Sequence, residues 1–151
     1  MKLEEKINES IKDSMKNKDS LRLESLRSIK SAILLEKTKS SVSNEIDEAS
    51  IVKILQKLVK QRSDSAKIYL DQNRKDLADV ENAQLKIISE FLPEQLSELE
   101  VNEIVDSVIK EINASSIKDM GSVIKHVNQK VSGRAEGRLV AELVKVKLLI
   151  K

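Results

Sequence analysis

Apolar residues recur at spacings of three and four along nearly the whole chain, the period of one face of an α-helix. The pattern predicts an all-α protein of about seven helices. Leu3, Ile7, Ile11 and Met15 form a first stripe. A second runs through Leu23, Leu26, Ile29 and Ile33, with Asp19 or Ser20 suited to the N-cap and an end near Lys37. Thr38 to Asp47 is serine-rich and has no long stripe, so it is expected to be a flexible connection. A long third helix follows from about Glu48 to Leu70 with Ile51, Leu55, Leu58 and Val59 inward. Its cations, Lys53, Lys57, Lys60, Arg62 and Lys67, lie mostly on a solvated face. After a turn at residues 71–75, a fourth helix with Leu77, Val80, Gln84, Ile88 and Phe91 ends at Leu92-Pro93, because proline removes a hydrogen-bond donor and disfavours helix in the residue before it.

Pro93 is the sole proline and the best candidate for a boundary, giving an N-terminal helical domain over 1–93 and a small C-terminal three-helix bundle over 94–151. Ser97-Glu98-Leu99-Glu100 has capping-box spacing and opens a helix that buries Val101, Ile104, Val105, Val108 and Ile112. Asn113 to Ser116 forms a turn, and Ser116 caps a helix carrying Ile117, Met120, Ile124, Val127 and Val131. Lys118, Ser122, Lys125 and Gln129 follow one polar flank of it, while Gly121 falls near the apolar stripe, where it suits close approach of a helix or ligand. The last helix, from about Arg138 to Ile150, is apolar on two sides, through Leu139, Leu143 and Val146 and through Val140, Val144 and Leu148, which predicts a central position.

Between the last two helices stands Ser132-Gly133-Arg134-Ala135-Glu136-Gly137-Arg138, which holds two of the three glycines. Glycine is favoured where φ is positive or where another molecule comes close, so this turn is either a joint or a contact surface. Charge strengthens the second possibility. The whole chain has a net charge of only +2, but residues 112–151 carry eight basic side chains against three acidic ones, a net +5. Lys118, Lys125, Lys130, Arg134 and Arg138 could meet a phosphate backbone, helped by the amides that open the last helix. Aromatics are 1% of the chain and none lies in this half, which disfavours a platform for stacking single-stranded bases.

The usual catalytic sets are missing. There is no cysteine, and the sole histidine, His126, falls opposite the apolar stripe. No metal site, cofactor site or catalytic residue is assigned. Ser115-Ser116-Ile117-Lys118 is better explained by a helix cap than by a nucleophilic Ser-Lys pair, and Gly133 to Gly137 lacks the Gly-Lys-Ser/Thr ending of a phosphate loop. No stretch approaches the ~20 apolar residues of a membrane span, and the start of the chain has acidic residues where a secretory signal would be apolar. A cytoplasmic protein without a membrane role is expected.

Several stretches together resemble the GatB/YqeY-domain family: Leu58-Val-Lys-Gln-Arg62, Phe91-Leu-Pro-Glu-Gln-Leu-Ser97, Ala114-Ser-Ser-Ile-Lys-Asp-Met-Gly121, Gly133-Arg-Ala-Glu-Gly137 and Leu139-Val-Ala-Glu-Leu-Val-Lys145. The resemblance covers essentially the whole chain. It implies an N-terminal helical domain and a smaller C-terminal one similar to the tail of GatB in the aspartyl/glutamyl-tRNA amidotransferase, a tail that helps to hold tRNA. Ala114 replaces a frequent glycine, and Glu136 a frequent aspartate. Expected partners are tRNA and an aminoacyl-tRNA synthetase or amidotransferase, with RNA contacts at the five cations named above. The family also implies association with a carbon-nitrogen ligase that uses glutamine as amido-N-donor, although the chain shows no glutaminase nucleophile, ATP-phosphate site or ammonia route. A docking module without RNA binding is the other alternative. Oligomeric state is not legible.

Overall fold

The structure is a computed structural model that describes residues 2–39 and 45–150. It is all-α, with no strand among the described residues. The helices are α1 (Leu3–Lys16), α2 (Ser20–Lys39), α3 (Glu48–Asp71), α4 (Lys75–Ser89), α5 (Glu98–Glu111), α6 (Met120–Val131) and α7 (Gly137–Leu149), with a 3-10 turn at Ile117–Asp119 before α6. The chain divides into two compact units, Met1–Leu92 and Pro93–Lys151, each with its own core.

In the first unit Ile7, Leu26, Ile29, Ile33, Ile51, Leu55 and Ile88 form the buried cluster. Full burial of such aliphatic side chains contributes ~1.5–3 kcal/mol each. Asp19 and Asp47 cap α2 and α3 by accepting from the amides of Arg22 and Ser50 at 3.1 and 2.8 Å. Helix α2 continues through Lys39, two residues past the expected end. The expected connection at 38–47 is therefore helical at its start, and residues 40–44 lie outside the described ones. Met15 and Val80, assigned to inward stripes, are exposed instead. Helix α4 stops at Ser89, short of Pro93, and Phe91 and Leu92 pack on the core from the turn that follows.

The second unit packs Val101, Val105, Val108 and Ile109 of α5 against Val123, Val127 and Val131 of α6 and Val140, Val144 and Leu148 of α7. Ser97 caps α5 with a complete capping box: its hydroxyl accepts from the Glu100 amide at 3.2 Å, and the Glu100 carboxylate accepts from the Ser97 amide at 3.1 Å. The expected two-sided burial of α7 is only partial. Leu139 and Leu143 are partly buried, but Val146 points to solvent, since a helix in a three-helix bundle has only two neighbours to cover it.

Candidate nucleic-acid interface

The α6–α7 turn is built by conformation first. Ser132 adopts the left-handed region (φ 46°, ψ 53°) and Gly133 follows at φ 80°, reversing the chain directly after α6. Gly133 therefore answers to a backbone need. Gly121 and Gly137 do not: a Cβ on either would meet nothing within 4 Å, so no neighbour among the described residues approaches closely enough to require glycine there. Gly121 lies exposed on the first turn of α6, which corrects the expectation that another helix packs closely against it.

The turn is then fastened to the segment before α5. The Leu96 amide donates to the Arg134 carbonyl at 2.7 Å, the Gln95 side-chain amide donates to the Gly133 carbonyl at 3.2 Å, and Arg134 Nε donates to the Glu94 carbonyl at 3.3 Å. Arg134 is thus exposed but fixed at its root, and among the described residues only Nε of its guanidinium has a hydrogen-bond partner. Its charge reaches Glu100. The Ser97 amide and hydroxyl, and after them the Arg134 guanidinium, hold the Glu100 carboxyl below its ordinary value.

The other assigned cations differ in availability. Arg138 is exposed on the first turn of α7 and pairs with Glu142 at 3.3 Å, a surface pair of the kind worth ~0.3–0.5 kcal/mol. Lys130 donates to Glu111 of α5 at 2.7 Å, which ties α6 to α5 and makes this lysine the least available of the five. Lys118 and Lys125 are exposed and have no ion-pair or side-chain hydrogen-bond partner among the described residues. Lys118 stands on the 3-10 turn rather than on α6, while Ser122, Lys125 and Gln129 keep their spacing along the exposed flank of α6. Ser116 is the N-cap of that 3-10 turn, and the Asp119 carboxylate accepts from the amides of Ser115 and Ser116 at 2.9 and 3.4 Å.

His126 is half-buried, not fully exposed, because its ring folds back to place Nδ1 2.7 Å from the Ser122 carbonyl one turn earlier. Among the described residues no three His, Asp or Glu side chains are grouped to hold a metal ion, and no helix is long and apolar enough to cross a membrane.

Sequence spacing missed the role of Arg62. Its guanidinium donates to the Gln84 side chain on α4 at 3.1 Å, to Ser28 on α2 at 3.1 Å and to the Leu58 carbonyl at 3.3 Å, so it clamps three helices together. No local pattern exposes such a role, since the partners lie 22 and 34 residues away. With Gln61, Asp64, Ser65, Glu81 and Gln84 it also lines an open polar groove of about 520 Å³ between α3 and α4.

Comparison with known proteins gives relatives that share one name, "Altered inheritance of mitochondria protein 41, mitochondrial". The protein from Clavispora lusitaniae is 33% identical over 127 residues, covering 78% of this chain and 69% of the relative. That from Lachancea thermotolerans is 27% identical over 146 residues, covering 95% and 77%. That from Vanderwaltozyma polyspora is 33% identical over 125 residues, covering 83% and 66%. These mitochondrial names overturn the expected cytoplasmic location. Neither a missing secretory signal nor a missing membrane-spanning helix argues against a mitochondrial location. A family model described as "Yqey-like protein" matches residues 4–148, in keeping with the resemblance carried by the motifs, and the chain belongs to that family.

Proposed function

We propose that this chain is a tRNA-associated accessory protein whose C-terminal unit contacts the phosphate backbone and performs no chemistry of its own. Arg134 and Arg138 are the central contacts, and Lys118 and Lys125 extend them. The observation that carries this reading is the anchoring of Arg134: a three-bond fastening of its turn leaves the terminal guanidinium nitrogens presented on a fixed platform. A guanidinium whose root is already ordered loses less entropy on gripping phosphate, and its planar fork suits phosphate oxygens. The net +5 of residues 112–151 supports the same assignment. Glu136 and Glu142 lie among these cations and weaken the local field, which favours a moderate, salt-sensitive affinity over tight binding.

The test is a titration of unmodified tRNA at several salt concentrations. Three or four phosphate contacts give a slope of log K against log salt of about −2 to −4. Arg134→Ala/Arg138→Ala reduces that slope by about 2 and weakens binding to every tRNA alike. No binding at low salt, or binding that the double substitution leaves unchanged, refutes the proposal.

A further inference from the structure

The C-terminal unit is divided in charge along its sequence. Residues 93–111 carry six acidic side chains and one basic, a net −5, opposite in sign to the +5 of residues 112–151. Glu94, Glu98, Glu100 and Glu103 are all exposed, and the carboxylates of Glu98 and Glu103 have no partner among the described residues. Glu100 and Glu103 border an open groove of about 270 Å³ with Leu96 and Ile104 as its apolar part and Ser107 and Lys130 completing it. The Lys130 amine is already engaged by Glu111. Small-ligand sites are usually enclosed and span ~300–1,000 Å³, so this groove suits one or two protein side chains better. Leu99, 69% exposed and one turn before Glu103, extends the apolar surface along α5.

The complementary piece is present in the same chain. Val146, Leu149 and Ile150 stand at i, i+3 and i+4, share one face at the end of α7, and are 58%, 61% and 81% exposed. Lys145, four residues before Leu149, flanks this ridge and has no partner among the described residues. We infer that two copies of this chain associate by seating the Val146–Leu149–Ile150 ridge of one in the acid-rimmed α5 groove of the other. The apolar ridge supplies the burial, and Lys145 against the Glu98, Glu100 and Glu103 rim supplies the orientation. The acidic rim excludes nucleic acid from the groove. Ridge and groove are small beside the ~1,200–2,000 Å² of a stable interface, so the association is weak and shows itself at ~10 μM to ~1 mM protein.

Sedimentation equilibrium of the full chain without RNA tests this. The mean mass rises above the 17.0 kDa of one chain with concentration, and raising the salt from ~50 to ~500 mM reduces the rise. Glu103→Lys and Leu149→Glu each weaken association at least ~10-fold while helicity by circular dichroism is unchanged, since both side chains are exposed. Mixing the two variants restores a 1:1 complex, because one retains the ridge and the other the groove. A mass that stays at 17.0 kDa over the whole range, association indifferent to both substitutions, or a mixture that restores nothing overturns the inference. Lys130 lines the groove, but Arg134, Arg138, Lys118 and Lys125, the four contacts of the proposed function, take no part, so this result and the tRNA titration fail independently.

Discussion

Arg134 joins two roles that are usually separate. Its Nε bond to the Glu94 carbonyl and its carbonyl's bond from Leu96 make it part of the joint, while its charge acts outward and on Glu100. The capping box gives a pH test at this scale. Glu100 titrates below its ordinary value because the Ser97 amide and hydroxyl bond its charged form. A carboxyl depressed in the folded state adds stability above its unfolded pKa of about 4.3 and loses it as pH falls from there through the folded value. Ser97→Ala therefore raises the Glu100 midpoint in an NMR titration and flattens the loss of stability below pH ~4.3. It also costs ~1 kcal/mol at pH 7 by urea denaturation, the usual value of an N-cap. An unmoved Glu100 midpoint would contradict the capping geometry. The box was legible from four residues because its partners are local. Arg62 and the Lys130–Glu111 pair were not, because spacing within one helix says nothing of which distant side chain faces it.

At the scale of elements, the helices were readable and their ends less so. The stripes of α3 and α5 found their buried positions, as Ile51, Leu55, Val101, Val105 and Val108 show. Gly121 has no helix packed against it among the described residues, and spacing could not show this because a helical wheel gives direction but not the distance to a neighbour. With open space around its missing Cβ, Gly121→Ala stabilises α6 by ~0.5–1 kcal/mol, measured as a shift in urea midpoint at constant m-value. A loss of stability would restore the close-packing role. Helix endings show the opposite economy in glycine. Lys18, Asn73, Asn113 and Ser132 take positive φ where glycine would be less strained. Asparagine tolerates this conformation, whereas lysine has no local compensation, so Lys18→Gly at the end of α1 is expected to add ~1 kcal/mol in the same assay.

For the whole molecule, two hydrophobic clusters with no shared member follow from a chain with only two aromatic side chains, Tyr69 and Phe91, in which aliphatic stripes must find one another. Leu55→Ala removes a fully buried side chain from the first cluster and is expected to cost ~2–5 kcal/mol. Hydrogen exchange should speed up first at amides of α1–α4; faster exchange confined to α5–α7 would contradict the division. Function was less legible than fold. Net charge of +2 concealed the opposed −5 and +5 segments of the C-terminal unit, and the five cations picked from the sequence prove unequal once their partners are known. Lys118 and Lys125 are exposed without partners among the described residues, Arg138 shares a surface pair, Lys130 is bonded to Glu111, and Arg134 is fixed by its turn. The most direct measurement is the tRNA titration of the wild-type chain beside Arg134→Ala/Arg138→Ala. Salt-dependent binding that loses about 2 from its slope in the double variant is expected. Equal binding by both proteins, or none by either at low salt, would contradict the assignment of this turn to the phosphate backbone.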